Sequence, residues 1–207
     1  MNWRILTYLV VTHNHKKARK LIKNFLKSYH KKDSRIYLSK NPKPIYKSTS
    51  IGHLWWKQYI IPFECITSDP SSYLLLLKEL KNKVKFQEQT SKSKLIFEAC
   101  IIPGAMTPFS EKDEDEMKFY MSCNFVLHSK ELKNFYQELI EILIPKEIMF
   151  KTEPPVIPGK SKATFNSDIY AKDKSTLEKL THTLETFTNQ KGYTFKMDIP
   201  PQKHFIS

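Results

Sequence analysis

Glycine is scarce in this sequence: there are only four in 207 residues. Loops that cradle phosphates or turn into a dinucleotide site need several glycines close together, so that class of nucleotide-binding protein is excluded. Arginine is scarcer still, since Arg4, Arg19 and Arg35 are three of 34 basic residues. Bidentate recognition of phosphates and base edges leans on arginine, so base-specific readout is disfavoured. Cysteine is limited to Cys65, Cys100 and Cys123, an odd number, widely spaced, each in an apolar strand-like run. Such spacing fits neither a disulfide framework nor a metal site and points to buried, reduced thiols in a cytoplasmic protein. No apolar run is long enough to span a bilayer. The run Ile5–Val11 is short, interrupted by Thr7 and followed at once by Thr12-His13-Asn14-His15, with no small-residue cleavage site, so no export signal is expected.

Acid is what the first half lacks. Residues 1–102 hold 20 Lys/Arg against 6 Asp/Glu, a net of +14, whereas residues 103–207 hold 14 against 15, a net of −1. The densest stretch, Lys16–Lys47, carries 12 basic residues and one acid, Asp33. An AT-rich genome raises lysine everywhere, but it does not remove acids from one half alone. The asymmetry therefore points to a steering or docking surface.

What is present is ordinary globular material. An apolar fraction of 40% with thirteen Phe and ten Tyr suffices for a packed interior. Four amphipathic helices are predicted. The first, Asn14–Lys31, sets Ala18, Leu21, Ile22, Phe25, Leu26 and Tyr29 against Lys16, Lys17, Lys20, Lys23, Lys27 and Lys31. The second opens at Asp69-Pro70 and runs through Val84, and the third, capped by Ser129, stops before Pro145. The fourth is capped by Asp173 and ends near Gly192. Strand-like runs flank each helix: Ile5–Val11, Arg35–Ser39, Tyr59–Thr67, Lys94–Ile102, Lys118–His128, Glu147–Thr152, Ala163–Ala171 and Tyr193–Ile199.

This order is βαββαβ twice. The expected fold is α+β: either two tandem ferredoxin-like βαββαβ units, or one extended antiparallel sheet with four helices. The expected division is a basic half at 1–102, an acidic linker at 103–117 and a neutral half at 118–207, with one domain overall as the alternative. Asn41–His53 and Glu153–Lys162 read as loops, and the tail from Pro200 as extended.

No local pattern amounts to an active site. His13 and His15 form a His-x-His pair at the end of the first strand, which could serve a metal or acid–base chemistry. The plainer reading is that Asn14 caps the first helix and both histidines are polar loop residues. His128 and His182 do not match the paired His-x-Ser/Thr strands of two-histidine phosphoesterases, because Ser129 follows His128 directly and His182 falls mid-helix. Asp113–Glu116 are consecutive loop acids with nothing to hold them in geometry. Trp55 and Trp56, beside Lys47 and Lys57, could anchor an interface or stack bases, or one could cap the core.

The run Cys123-Asn124-Phe125-Val126-Leu127, the helix Lys130–Ile144 and the segment Pro145–Phe150 follow one another, and the strand and helix of Ala163–Gly192 come after them. In layout this resembles the strand–helix–Pro–strand portion of immunity proteins from bacterial polymorphic-toxin systems. The resemblance covers less than half the chain and assigns no functional residue. It implies a protein that neutralises a toxin by binding it. The expectation is thus a non-enzymatic protein without cofactor, metal or membrane association. It would dock an acidic macromolecule, such as a toxin or effector, through Lys16, Lys17, Lys20, Lys23, Lys27, Lys31, Trp55 and Trp56. The alternative is a protein that binds RNA or single-stranded nucleic acid, with a metal-independent nuclease using His13 or His15 as a smaller branch.

Overall fold

The computed structural model describes residues 1–11, 15–32, 36–38, 45–51, 54–90, 99–128, 131–152 and 162–204, with the backbone alone at several element ends. In chain order the elements are β1 (Trp3–Val11), α1 (His15–Lys32), β2 (Ile36–Leu38), β3 (Ile45–Ile51), β4 (Leu54–Thr67), α2 (Pro70–Thr90) and β5 (Ala99–Pro108). They continue as α3 (Glu111–Glu114), β6 (Phe119–His128), α4 (Leu132–Leu143), a 3-10 turn (Ile144–Lys146), β7 (Met149–Thr152), β8 (Lys162–Ala171), α5 (Lys174–Lys191) and β9 (Thr194–Lys203).

All strands among the described residues join one sheet in the order β2-β4-β1-β5-β7-β8-β6-β9, with β3 also paired to β4. β2 pairs with Cys65–Thr67 and β3 with Leu54–Ile60 of the same strand, both antiparallel. Together they form one interrupted edge strand. Counted that way, each half has the strand order 2-3-1-4 of a ferredoxin-like βαββαβ unit, and every ladder is antiparallel. The two expected architectures coexist. There are two tandem units, and β5 pairs with β7 through Ala105–Lys151 and Met106–Phe150 to make them one sheet.

A single row of side chains shows the continuity. Cys65, Ile5, Met106, Phe150, Ile169 and Met121 are cross-strand partners in succession over six strands, and each is fully buried. Strand alternation then places the same face of both halves under the helices. β6 follows it cleanly, burying Met121, Cys123, Phe125 and Leu127 and leaving Ser122, Asn124 and Val126 half-buried on the other side. The helices cover the buried face with Ala18, Ile22 and Phe25 of α1, Tyr73, Leu76 and Leu80 of α2, Phe135 and Leu139 of α4, and Leu177, Leu180 and Leu184 of α5. In the second half the core is aromatic: Phe125 and Phe165 stack at 4.8 Å, and Phe135 meets Phe165 edge-on at 5.2 Å.

Several local expectations are met. Asp69 Oδ1 accepts from the Ser71 amide at 3.0 Å as α2 opens at Pro70. Asp173 Oδ1 accepts from the Thr176 amide at 2.8 Å, and Gly192, at φ 70°, ends α5 in the left-handed region that glycine tolerates. The Ser129 cap and the loop 153–161 lie outside the described residues.

Four expectations are corrected. Asn41–His53 is not a loop throughout, because β3 occupies Ile45–Ile51 and finds its ladder on the overlong β4. The linker 103–117 does not begin at Pro103, because β5 continues to Pro108 along β1. Its Pro103-Gly104 pair makes a bulge: the register on β1 shifts between Leu6 and Thr7, so Gly104 has no ladder partner. The acidic run is not featureless either, since Ser110 Oγ accepts from the Asp113 amide at 3.2 Å and caps the single turn of α3. Finally, His15 opens α1, so it does not share a strand with His13, which lies outside the described residues.

Candidate partner-binding face

The apolar residues of α1 turn its lysines outward. With Ala18, Ile22, Phe25, Leu26 and Tyr29 in the core, Lys16, Lys20, Lys23 and Lys27 align at helical spacing along the opposite, exposed side, with Lys17 and Arg19 beside them. Lysines four apart, such as Lys16 with Lys20 and Lys23 with Lys27, repel one another. Lys16 and Lys17 also stand in the first turn, at the positive end of the helix dipole, where no acid is present. Both placements cost stability, so the stripe is not there for the helix.

In the first half Arg4 Nε lies 3.1 Å from Glu64 Oε1. In the second half Lys151 lies 3.6 Å from Glu114, Lys172 2.5 Å from Glu116, Lys174 3.2 Å from Glu178, Lys191 2.9 Å from Glu138 and Lys196 3.2 Å from Asp198. Among the described residues, no acid pairs with Lys16, Lys17, Lys20, Lys23 or Lys27. The charge asymmetry of the sequence thus becomes an asymmetry of the helix layer. α1 packs beside α2, whose exposed Lys78, Lys83 and Lys85 extend the basic surface; α2 in turn borders the Ile144–Lys146 turn.

Of the remaining candidates, Lys31 lies in α1, but its side chain is outside the described residues, as are those of Trp55 and Trp56. The backbone of the tryptophans is placed. They pair with Ser50 and Thr49 in the part of β4 that runs past the end of β1, which stops at Val11 opposite Tyr59. This two-stranded arm leaves the sheet at the end where α1 begins. The topology therefore brings the Trp-Trp segment to the same end of the first unit as Lys16, Lys17 and Lys20.

Sequence reasoning missed two features. One is α2, read only for its core stripe. Four consecutive leucines, Leu74–Leu77, cannot all face the core of one helix, and Leu75 is 55% exposed; that was the available signal. The other lies on the face of the sheet opposite α1, α2, α4 and α5. Tyr120 and Tyr170 pair across β6 and β8 at 5.0 Å, His204 meets them at 5.9 and 5.2 Å, and Lys151 Nζ lies 5.8 Å from the Tyr170 ring. Tyr120 donates to Asp168 at 3.2 Å. Burial, and then Asp168, Tyr120 and Glu114, hold the Tyr170 phenol above its ordinary pKa. This cluster joins residues from four segments, so no local spacing announces it.

Buried polar groups elsewhere serve packing. Tyr73 and Thr7 hydrogen-bond inside the first unit, and burial pushes the Tyr73 phenol up. Burial, with Glu64 adding to it, pushes the Cys65 thiol up to about 12, and burial pushes that of Cys123 up as well. Such thiols are poor nucleophiles. The side chain of Cys100 is outside the described residues. His128 ends β6 and His182 sits mid-helix in α5, both exposed. Among the described residues no three His, Cys, Asp or Glu gather as a metal site, and no helix is long and apolar enough to cross a membrane.

No protein-family model matches the chain, and no curated protein matches it. Solved structures do align over nearly its whole length. A proposed glycine cleavage system transcriptional repressor aligns with 99% of each chain covered, 8% identity and a TM-score of 0.36. A protein of unknown function from Galdieria sulphuraria covers 99% of this chain and 100% of its own at 9% identity and 0.32. Chlorite dismutase from Candidatus Nitrospira defluvii covers 98% and 91% at 8% identity and 0.31. Likeness at this level bears on neither activity nor partner.

Proposed function

We propose that this chain is a non-enzymatic binding protein of the cytoplasm. It docks an acidic macromolecule on the helix layer of its first unit, and its best-fitting role is that of an immunity-type protein neutralising a toxin. One observation carries the reading: Lys16, Lys20, Lys23 and Lys27 align on α1 with no acid partner among the described residues, while five lysines of the second half are paired. Unneutralised charge at a helix's positive end is costly unless a partner supplies the anion. A field of one sign also speeds encounter with an oppositely charged surface. The layout of the second half adds the likeness to immunity proteins, and the Trp55–Trp56 segment supplies anchors at the same end of the unit.

A pulldown with the full chain, read by mass spectrometry at low and moderate salt, tests this. The expected capture is an acidic protein encoded beside this gene, released by salt and lost on replacing Lys16, Lys20, Lys23 and Lys27 with glutamate. A captured partner indifferent to those changes would sink the reading. Steeply salt-dependent retention of a random single-stranded oligonucleotide, lost in the same variant, would favour nucleic acid instead.

A further inference from the structure

The first unit is apolar on both faces of its sheet. On β1, β4 and β5 the face turned away from the helices holds Leu6, Tyr8, Pro62, Ile66 and Ala105, half-buried among their neighbours, in cross-strand pairs such as Pro62–Tyr8 and Leu6–Ala105. The register continues this face with the positions of Val10, Ile60 and Ile102. Among the described residues, the charged ones on this face of the three strands are Arg4 and Glu64, 3.1 Å apart. Arg4 also lies 5.3 Å from the ring centre of Phe109, which is 47% exposed. In the second unit the same face is polar: β6 and β8 present Ser122, Asn124, Asn166 and Asp168, and Asn124 donates to Asn166 at 2.5 Å. A strand solvated on one face alternates, as β6 does, whereas a near-continuous apolar run marks a strand covered on both. Helices α1, α2, α4 and α5 pack on the other face, and α3 is a single turn without a buried residue.

We propose that this face is the interface of a homodimer, in which the first-unit sheets of two copies pack face to face about a two-fold axis. A patch that is apolar and internally neutral calls for an apolar, neutral cover, and under a two-fold axis it supplies its own. Its one cation and one anion are self-complementary as well: the contact can set Arg4 of one copy against Glu64 of the other. With the positions of β2 and β3 on the outer edge included, the face is roughly 20 Å by 20 Å, and two such faces bury about the 1,000 Å² that a specific interface needs. Sheets packed in this way stand ~10 Å apart. The lysines of α1 then lie on the outer sides of the pair, open to an acidic partner. The charge of +13 per chain therefore does not oppose the contact at close range. A polyanion finds no cation on this face beyond Arg4, which is already paired.

The test is sedimentation velocity of the full chain across a concentration series. The expected species is a dimer of twice the 24.5 kDa chain mass. Leu6→Lys should raise the dissociation constant at least about tenfold and release a folded monomer, because the new lysine stands opposite Glu64 on β4 in a favourable cross-strand pair. Asn166→Lys, on the polar face of the second unit, should leave the mass unchanged. Arg4→Glu should weaken the dimer by a similar factor, and adding Glu64→Arg should restore it. Circular dichroism checks that each variant is folded, and the charge swap decides the question should Leu6→Lys fail to fold. A parent chain that is monomeric at every concentration overturns the proposal. So does a dimer indifferent to both Leu6→Lys and Arg4→Glu, or one that Asn166→Lys dissociates while Leu6→Lys does not.

Discussion

Thr152 donates its hydroxyl to the carbonyl oxygen of Gly104 at 3.1 Å, tying β7 to β5 where the two units meet. Gly104 is the bulged residue of β5, and its other side lies against the ring of Tyr8 on β1: a Cβ there would stand 2.3 Å from Tyr8 Cε2. One residue thus serves the close approach of β1 and the hydrogen bond from the second unit. The ladder joining the units consists of Ala105–Lys151 and Met106–Phe150, so this bond is a sizeable share of the polar junction.

Gly104→Ala should lower stability by about 1–3 kcal/mol, the usual cost of forcing atoms into a packed contact. Tyr8→Ser in the same chain should recover most of the loss by removing the ring. Thr152→Val should cost about 1 kcal/mol through the lost hydrogen bond. Urea midpoints of the four chains check this. A Gly104→Ala protein as stable as the parent would show that the Tyr8 contact yields freely.

Lys16→Glu should separate stability from function. An acid in the first turn of α1 meets the helix dipole favourably and relieves repulsion from Lys20, for a gain of about 0.3–1 kcal/mol. The same change should slow association with the acidic partner, with a shallower dependence on salt. Thermal melts and stopped-flow association read the two effects. Loss of stability would contradict the electrostatic account of α1.

The buried thiols predict sensitivity to alkali. In the fold Cys65 keeps its proton to about pH 12, and burial holds that of Cys123 as well. An unfolded thiol releases its proton near its ordinary value of about 8.5. Above that value the unfolded chain binds fewer protons than the native one. The thiols' contribution to stability is therefore level below about pH 8 and falls as pH rises towards 12, by at most ~1.4 kcal/mol per unit for each thiol. Urea titrations across this range should show the slope, and Cys65→Ala should reduce it by the share of that thiol. In a Cys100→Ser background, thiol reagents should label the native protein only as fast as it opens.

Asp173 predicts the opposite behaviour in acid. Its carboxylate accepts from Ser175 Oγ, the Thr176 amide and Thr176 Oγ1, and these bonds hold its pKa below the ordinary carboxylate range. Its cap on α5 is complete above the unfolded pKa and is lost as pH falls through the lower, folded value. Asp173→Ala should lower the melting point at neutral pH and have little effect in strong acid. Asp173→Asn should cost less than alanine and show no such pH dependence. Equal effects of both substitutions at all pH values would rule out the charged cap.

Helix positions were legible because each carries its own period and punctuation: Asp69-Pro70 opens α2, Asp173 opens α5 and Gly192 closes it. The β3 strand was not legible. Ile45–Ile51 holds hydroxyls and a lysine, and it is a strand because β4 offers it an unpaired edge. The segment from Pro103 likewise reads as linker until β1 is placed alongside it. On the candidate face, the lysine stripe of α1 was evident from spacing alone. The exposure of Leu75 and Phe86 depended on which side of α2 the sheet and α1 cover.

The sequence by itself determined the order of the four longer helices and of the strands that flank them, the inward residues of most of them, and the concentration of positive charge in the first half. These are local properties of side-chain period and composition. Tertiary structure alone decided that the two units share one sheet, because any edge strand offers the same backbone donors and acceptors; shape and cover chose β7 as the partner of β5. It also decided which lysines are neutralised. Lys151, Lys172 and Lys191 find acids brought close by the fold from distant segments, whereas those of α1 meet none among the described residues.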